Sequence, residues 1–496
     1  MLGVWRRHTE FQDFLVENLS PRWEVDRSRI TFYANLIEAA WLLDLDSAQP
    51  ILAPFYSAVG RPSNQAPEVL RTLILMTLAG ETSIPMWRAR IQAEPILAIA
   101  CGYPPEATPG IATLYDFFHR FWCGSLGPAI RRSLRSDNRK PGPDRKLPNR
   151  RQGVAGRLLK QVKKGRRFHN RPERVIQMLM ASTVVEPSAA RNLLGDTSRL
   201  RLAADGAPLE TGGSSRGTRT CKCHEQGVYR CNCPRKYHDA EANRGYDSHH
   251  KRYFYGHTLY HVTAADSPHD LPVYVRLTQG NRHDSSTGMI SLVETLDRYP
   301  EFRITTALLD SAHDNTATYE LCYREGIAPY IDVNQRSEKK DDDGPRNPIG
   351  VTSDGTPICA AGHTMKYNGF NPGRARTKFR CPLVASGTGT CSCSDSDYGR
   401  VVYTYPDASR REPPVPRDSK AWKDTYKRRT AVERSLKRTL VDYSVEHTRV
   451  RGRCHWYWRT TLAAMAQHVD AWLVHARELG REPLHWLRQT FQPAVT

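Results

Sequence analysis

Two short apolar segments of this chain each end in an aspartate. Arg201-Leu-Ala-Ala-Asp205-Gly and Ile304-Thr-Thr-Ala-Leu-Leu-Asp310 have the length and composition of buried β-strands. Residues 253–263 and 271–278 alternate in the manner of further strands, and a helix is expected at 285–299. Strands in succession, then a helix, then a strand predict an α/β or mixed sheet covered by helices. An aspartate that ends a strand lies at the rim of such a sheet, where it can reach a ligand.

A third acid lies in a segment with helical spacing. Tyr426, Arg429, Glu433 and Lys437 follow one another at intervals of three, four and four, which predicts one shared face of a helix. A stripe of phenol, guanidinium, carboxylate and ammonium is not a core-facing stripe. It is either a solvated salt-bridge ladder or a working surface, and spacing alone does not decide between them.

The net charge of +20 favours a polyanionic partner, because Lys and Arg that neutralise phosphates release condensed counterions. Between Arg131 and Arg174 there are 17 Lys or Arg and three acids, together with several Pro and Gly. We interpret this stretch as a linker or arm laid on DNA, the alternative being a merely solvated charge run. The basic residues to which we assign DNA contacts there are Arg150, Arg151, Lys163, Lys164, Arg166 and Arg167.

Eight of the 12 cysteines fall into two clusters. The first is Cys221, Cys223, Cys231 and Cys233, and the second is Cys359, Cys381, Cys391 and Cys393, with His363 nearby. Clustered cysteines in a chain without an export signal hold zinc more often than disulfides. We predict a structural zinc ion for each cluster, the alternative being reduced free thiols.

The 496 residues are enough for two or three domains. Residues 30–125 have the periodicity of amphipathic helices, and helices are expected again from about 418 to 479. Cysteine-rich stretches at about 211–245 and 340–407 are interpreted as insertions, because structureless loops of that length are rare inside domains. The predicted units are a helical domain at 1–130, a basic linker with helices at 131–198, the sheet domain at 199–480 and a tail at 481–496.

The sequence has no apolar run of the roughly 18 residues that a transmembrane helix needs. Its first ten residues lack the apolar core of a signal peptide. We therefore expect a cytoplasmic protein with no membrane partner.

Several blocks of the sequence resemble the DDE insertion-sequence transposases that carry a Tyr-x2-Arg-x3-Glu signature. The signature stands here as Tyr426-Lys-Arg-Arg429-Thr-Ala-Val-Glu433, and the two strand blocks as Ala204-Asp205-Gly206 and Leu308-Leu-Asp310-Ser-Ala-His-Asp314. Tyr255-Gly-His-Thr-Leu-Tyr and Gly280-Asn-Arg-His-Asp284-Ser fit the strands between. The helical blocks Gly60-Arg-Pro, Gly80-Glu-Thr-Ser and Cys101-Gly-Tyr are similar to the amino-terminal domain of these enzymes, so the blocks occur in family order along nearly the whole chain.

This resemblance implies a ribonuclease-H-like core in which Asp205, Asp310 and Glu433 hold two Mg²⁺ or Mn²⁺ ions. It implies cleavage at the ends of an insertion element and strand transfer into target DNA, by a homodimer assembled on double-stranded DNA at a prokaryotic nucleoid. Tyr426, Arg429 and Lys437 would grip phosphates beside the scissile bond. Two ions at one site can serve both the attacking and the leaving oxygen of an in-line displacement.

Two features depart from the family pattern. The family often has Lys seven residues after the glutamate, where this chain has Leu440, and the span from Asp310 to Glu433 is long. The alternatives are a catalytically silent, transposase-derived DNA-binding protein and a plain metal-dependent nuclease of the same fold. His257, His283 and Asp314 are further polar candidates, for each of which a structural role is the main alternative.

Overall fold

The computed structural model describes residues 1–63, 65–124, 130–131, 153–166, 171–231, 233–334, 350–352, 356–371, 376–404, 415, 417 and 419–489. Of the residues assigned to DNA contacts, Arg150, Arg151 and Arg167 lie outside these ranges. None of the helices within them is both long enough and apolar enough to span a membrane.

The first part of the chain is helical, as the periodicity predicts. Its helices are α1 (His8–Leu19), α2 (Arg27–Phe32), α3 (Ala34–Leu42), α4 (Ala48–Leu52), α5 (Ala66–Leu78), α6 (Ile84–Ala93), α7 (Pro95–Cys101), α8 (Ile111–Arg120), α9 (Val154–Lys163), α10 (Arg174–Met180) and α11 (Glu186–Ala190). α5, α6 and α7 have proline in the first turn, where its missing N–H leaves no helical bond unmade. The side chain of Ser83 caps α6 by accepting a hydrogen bond from the Met86 amide at 3.3 Å.

Strands and further helices follow from residue 200, and one short strand at 130–131 lies earlier, between α8 and α9. The strands are β1 (Ile130–Arg131), β2 (Leu200–Glu210), β3 (Thr218–Arg219), β4 (Arg235–Lys236), β5 (Asn243–Asp247), β6 (Arg252–Ala264), β7 (Pro272–Gln279), β8 (Ile304–Leu309), β9 (Ala328–Ile331), β10 (Gly350–Val351), β11 (Pro357–Ile358), β12 (Lys366–Asn371), β13 (Arg376–Arg380) and β14 (Val401–Thr404). The helices are α12 (Asp284–Arg298), α13 (Thr316–Arg324), α14 (Pro382–Ser386), α15 (Lys420–Tyr426), α16 (Thr430–Lys437), α17 (Arg453–Glu478) and α18 (His485–Gln489).

The main sheet is mixed, in agreement with the expected fold class. β7, β6 and β2 are antiparallel neighbours, and β2, β8 and β9 continue the sheet in parallel. β5 pairs with the start of β6, on the side where β7 pairs with its later part. The long crossover from β2 to β8 contains α12, and α13 connects β8 to β9, as parallel pairing requires.

One continuous cluster of buried apolar side chains joins the amino-terminal helices to this sheet. α17 is central to it, because its Trp456 and Trp458 are fully buried. The Trp458 indole donates to the Phe118 carbonyl at 3.0 Å on α8, and His468 Nε2 lies 2.9 Å from the Pro272 carbonyl on β7. Each large apolar side chain buried in this way contributes about 1.5–3 kcal/mol. The strands that carry the two aspartates are therefore backed by a packed core.

Two regions differ in detail from the sequence-based expectation. Residues 481–489, set apart as a tail, contain α18, whose Trp486 stacks on Trp41 with ring centroids 3.9 Å apart. In the basic stretch, α9 packs Leu159 and Val162 into the core. The described residues 153–166 of that stretch therefore contain a helix that is docked on the rest of the protein, and their contact with DNA stays a prediction.

Candidate active site

Asp205 and Asp310 lie side by side at one end of the parallel part of the sheet. Ala204 on β2 is in register with Leu309 on β8, and each aspartate is the next residue of its chain. Apolar residues precede both because the strands are buried, and the polar side chains begin where the strand pair reaches solvent. The side chains of Asp205 and Asp310 are 20% and 32% exposed, so both carboxylates are accessible.

Glu433 reaches the same site from α16 through an arginine. Arg429 Nη1 donates to Asp205 Oδ2 at 3.1 Å, and Arg429 Nη2 donates to Glu433 Oε1. A single guanidinium thus links the carboxylates of the strand and the helix. Asp205 and Glu433 thus share one cation of the protein itself, and Asp310 follows the strand next to the one that carries Asp205.

The stripe that predicts one continuous helix is interrupted. Lys427–Arg429 is a 3₁₀ turn between α15 and α16, and a π-helical turn follows at Arg438–Asp442. The tighter 3₁₀ geometry rotates Tyr426 relative to a regular α-helix. The hydroxyl of Tyr426 donates to the Leu309 carbonyl at 3.2 Å, and its ring stacks on Trp422. Tyr426 therefore braces the strand end that leads to Asp310.

α16 is held against the sheet by buried polar contacts. His261 Nδ1, on the β6 residue paired with Asp205, lies 3.2 Å from Ser435 Oγ. Ser435 in turn donates to Gln467 Oε1 of α17 at 3.1 Å. Burial lowers the pKa of His261 to about 3, so its imidazole is neutral at physiological pH. These contacts fix the helix that carries Glu433 over the strand that carries Asp205.

The two aspartates differ in their electrostatic environment. Burial, with the charge of Asp310 added, raises the pKa of Asp205 to about 6. Burial would also raise the pKa of Asp310, but the hydrogen bond and charge of His313 lower it below its ordinary value. Like charges placed this close favour a site that holds cations.

His313 is a site residue that the sequence analysis did not single out. It is fully buried, its Nδ1 lies 2.6 Å from Asp310 Oδ1, and its Nε2 lies 2.8 Å from the Tyr260 hydroxyl. α12 comes close to this pair only because residue 288 is glycine. A Cβ there would lie 2.5 Å from the Tyr260 hydroxyl and 2.7 Å from His313 Nε2. The sequence feature that could have identified His313 is the Asp310-Ser-Ala-His motif, in which the histidine comes three residues after the aspartate.

Asp284 is a fourth carboxylate beside the site. It opens α12, and a Cβ at Gly206 would lie 2.7 Å from its Oδ1, so it packs against the residue that follows Asp205. Burial, with a contribution from Asp310, raises the pKa of Asp284. Asp284 belongs to the Gly280-Asn-Arg-His-Asp284 block of the sequence, but the pattern of that block by itself indicates only the end of a strand.

The other predicted site residues have varied surroundings. Lys437 is exposed one turn beyond Glu433, and Leu440 packs against the core in the π-helical turn. Lys163 pairs with Glu320 of α13, while Lys164 and Arg166 are exposed at the end of α9. These two side chains can still meet a phosphate, whereas Lys163 already has an anionic partner.

His257, His283 and Asp314 make contacts typical of structural residues. Buried His257 lies 3.2 Å from Asp239, and His283 caps α12 by accepting from the Ser285 amide at 3.3 Å. Asp314 accepts from the Asn334 amide at 2.9 Å. All three satisfy backbone or buried partners.

The first cysteine cluster forms a tight group of thiols. Its four sulfur atoms all lie within 4.8 Å of one another, and this is the one such group of His, Cys, Asp or Glu ligand atoms in the described residues. The Cys221–Cys231 and Cys223–Cys233 sulfur distances are 3.4 Å and 3.6 Å. Zn–S bonds of about 2.3 Å place tetrahedral sulfurs about 3.8 Å apart, so this set fits zinc, whereas a disulfide needs about 2.05 Å.

The second cysteine cluster is looser. Cys359, directly after β11, and Cys381, directly after β13, are buried, and Cys391 accepts from the Arg400 amide at 3.3 Å. His363 is exposed, and its carbonyl accepts a hydrogen bond from the Cys359 amide at 2.9 Å. The apolar cluster of this region has only Cys359, Met365 and Phe379 as buried members among the described residues. Such a small core needs additional cross-linking to be stable.

Comparison with known proteins shows what the chain is similar to. A family model described as the transposase DDE domain matches residues 197–466, more than half of the chain, and spans Asp205, Asp310 and Glu433. Among solved structures, the chain is similar to a piggyBac transposase in a cryo-electron-microscopy synaptic complex with hairpin DNA. The identity is 11% over 91% of this chain and 79% of that chain, with a TM-score of 0.34. No curated protein matches the sequence.

Proposed function

The chain belongs to the family of transposases that share the DDE domain, and we propose that it cleaves the ends of an insertion element and joins them to target DNA, with Asp205, Asp310 and Glu433 as catalytic carboxylates. The observation that carries this proposal is the convergence of the three acids, two on adjacent parallel strands and one on α16, around Arg429. Three carboxylates and a guanidinium do not serve a packed apolar core. They suit a site that binds cations and phosphates.

The strand order supports a ribonuclease-H-like core. Three antiparallel strands, β7, β6 and β2, are extended by parallel β8 and β9, and the aspartates follow or lie on β2 and β8. The segment between β9 and α15 then holds the second cysteine cluster as an insertion, which accounts for the long span from Asp310 to Glu433. Residues 1–130 would form the helical DNA-binding part, and 131–198 the linker with its helices.

The donor set fits hard divalent cations. Carboxylate oxygens are the ligands that Mg²⁺ and Mn²⁺ prefer. The positively charged guanidinium of Arg429 pairs with both Asp205 and Glu433, so these carboxylates already bind one cation. Two such ions, held by Asp205, Asp310 and Glu433, would activate the attacking oxygen and stabilise the leaving oxygen at a phosphodiester. With such ions bound, Arg429 would release Asp205, and its guanidinium would then be available to a phosphate oxygen.

The surrounding residues have supporting roles in this proposal. His313, backed by Tyr260, holds Asp310 in one orientation through its Nδ1–H, and Tyr426 braces the end of β8. Lys437 is exposed and can approach a phosphate on the same side as Glu433. Double-stranded DNA is the expected partner, bound by a homodimer. Zinc in each cysteine cluster would stabilise segments with little core of their own.

Cleavage by the purified full-length chain tests the proposal. The substrate is a duplex that carries the inverted repeat flanking the gene, incubated with Mg²⁺ or Mn²⁺. Asp205→Asn, Asp310→Asn and Glu433→Gln should each lower the cleavage rate roughly a thousandfold, because each removes several kcal/mol of transition-state stabilisation. Duplex binding should remain. Asp424→Asn, an exposed acid on α15, is the matched control and should cleave normally.

Three outcomes separate the competing functions. A wild-type chain that binds the repeat but never cleaves it is a silent DNA-binding protein. One that cuts any duplex without joining ends to target DNA is a plain nuclease. Cleavage that survives in one of the three variants removes that residue from the catalytic set.

A further inference from the structure

The sheet continues well beyond Asp205 on its active-site side. β2 runs five residues further and still pairs with β6, from Asp205 opposite His261 to Glu210 opposite Gly256. At about 3.4 Å per residue this extension is roughly 17 Å long. The residues that follow β2 therefore begin beyond the end of the parallel strands at which Asp205 and Asp310 lie.

Those residues form a segment, here called the cysteine hairpin, whose described part comprises residues 214–231 and 233–236. β3 and β4 pair antiparallel at its base, where the Thr220 hydroxyl donates to the Pro234 carbonyl at 2.7 Å. The thiols of Cys221, Cys223, Cys231 and Cys233 converge inside it. Its tip turns at Gly227, which has a φ of +76°.

The base of the cysteine hairpin is fastened to the catalytic domain. The Gly212 amide donates to the Val450 carbonyl at 3.1 Å, and the Thr211 hydroxyl donates to buried Asp239 at 2.6 Å. The Gly452 amide also donates to Asp239, at 3.0 Å. A Cβ at residue 212 would lie 2.5 Å from the Arg449 carbonyl oxygen, so this close approach requires glycine. These bonds fix the base of the hairpin relative to the site.

The cysteine hairpin is strongly basic. It has six Lys or Arg and one acid, Glu225, a net charge of +5. One divalent ion held by four thiolates carries a net charge of −2, so the hairpin remains at +3 with zinc bound. The exposed cations are Arg216, Arg219, Lys222, Arg230 and Lys236. Within the described residues none of these five has a salt bridge to an acid.

The tip also exposes an aromatic and an aliphatic side chain next to its cations. Tyr229 is 64% exposed and Val228 48% exposed, directly before Arg230. Tyr229 contacts only the ring of His224 edge-on, with centroids 4.8 Å apart, among the described aromatic rings. An exposed aromatic ring between cations is typical of surfaces that bind nucleic acid, where rings meet sugars or bases while cations meet phosphates.

We propose that the cysteine hairpin is a second DNA-binding site, which holds the sugar-phosphate backbone of the duplex whose scissile bond lies at Asp205 and Asp310. This inference rests on the proposed function, since it assigns part of the grip on that same DNA. Arg216, Lys222 and Arg230 contact phosphates without reading sequence. Zinc-bound thiolates give the hairpin the rigidity to present them.

The test measures DNA affinity of the full-length protein against salt. The variant carries Arg216→Gln, Lys222→Gln and Arg230→Gln, and the probe is a fluorescent duplex of random sequence followed by anisotropy from low to moderate NaCl. The slope of log affinity against log salt should fall by about 0.9 for each phosphate that the variant no longer neutralises. The matched control is Arg199→Gln, Arg303→Gln and Arg324→Gln, three exposed arginines before β2, β8 and β9 at the opposite end of the sheet. Its slope should equal that of the wild type.

Equal slopes in the hairpin variant, the control and the wild type, together with normal cleavage by the wild type, overturn the DNA site and leave the transposase function standing. A wild type that neither binds nor cleaves DNA overturns both. Zinc content and thermal unfolding identify a hairpin variant that has lost its fold. Arg216→Gln with Lys236→Gln, which lie outside the cysteine span, then gives the same readout with the thiol group undisturbed.

Discussion

Arg429 donates a hydrogen bond of 3.1 Å to Asp205, and the same guanidinium also binds Glu433. The arginine and the aspartate that it binds are 224 residues apart in sequence. This arginine neutralises the negative charges of Asp205 and Glu433, which would otherwise repel each other. It would therefore compete with the metal ions proposed to bind there.

We predict that Arg429→Gln separates metal binding from cleavage. Removal of the competing cation should tighten Mn²⁺ binding severalfold, as measured by calorimetry. Cleavage should nevertheless fall about 10- to 100-fold, because a charge-assisted hydrogen bond to phosphate contributes about 1.5–3 kcal/mol. Lys427→Gln, an exposed neighbour in the same 3₁₀ turn, is the control and should leave Mn²⁺ affinity unchanged. Weaker Mn²⁺ binding by Arg429→Gln would contradict the competition.

His313 should act through Asp310. Replacement of a residue that orients a metal ligand commonly costs about 10- to 100-fold in metal affinity or activity, so His313→Ala should raise the Mn²⁺ concentration needed for half-maximal cleavage by that factor. His313→Asn, which keeps an N–H donor, should recover part of the loss. His283→Ala changes an exposed cap of α12 and should leave the metal requirement near that of the wild type. A normal metal requirement in His313→Ala would show that Asp310 needs no such support.

The position of Asp310 follows from the sequence, because a short apolar run that ends in an acid becomes a buried strand with a carboxylate directly after it, and Asp310 follows β8. The same pattern wrongly ended the first strand at Asp205, which lies within β2, because pairing with β6 extends that strand to Glu210. The regular spacing of Tyr426, Arg429, Glu433 and Lys437 correctly brought Arg429 and Glu433 together. It did not predict the 3₁₀ turn at Lys427–Arg429, because the spacing of side chains does not distinguish a short 3₁₀ turn from a continuous α-helix.

The residues that the sequence analysis missed depend on contacts between distant segments. His313 contacts the site because Tyr260 of β6 and Gly288 of α12 meet it there, and no local pattern encodes that meeting. Lys163 counted as a free cation in the basic stretch, yet it pairs with Glu320, 157 residues away. Net charge predicts a polyanionic partner for the whole chain, but not which cations the fold already uses.

When the protein is purified without chelator, metal analysis should find zinc bound to the first cysteine cluster. We expect about one zinc ion per chain to be lost in Cys221→Ser, because its sulfur lies 3.4 Å from that of Cys231 in the four-thiol group. Cys381→Ser should instead lose the zinc ion of the second, looser cluster and keep that of the first. Cys123→Ser lies outside both clusters and should keep the full metal content. Zinc-free protein that is reduced, freshly purified and active would contradict both assignments without touching the carboxylate mechanism.

Asp239 provides a pH test of how the cysteine hairpin is anchored. Burial would raise the pKa of Asp239, but hydrogen bonds from His257, Thr211 and the Gly452 amide lower its pKa to about 2. A carboxyl whose pKa is lower in the folded state stabilises the fold above its unfolded pKa of about 4, and this stabilisation is lost as pH falls toward 2. The shift corresponds to about 2 kcal/mol.

Urea unfolding of Asp239→Asn should therefore show a loss of about 2 kcal/mol relative to the wild type, constant from pH 7 to 5 and shrinking below pH 4. The buried carboxylate loses its charge in the variant, while His257 and the Gly452 amide lose a charged acceptor. Asp13→Asn, an exposed acid on α1, should give the wild-type curve at every pH. A gap between Asp239→Asn and the wild type that stays constant down to pH 3 would mean that the hydrogen bonds matter but the charge of Asp239 does not.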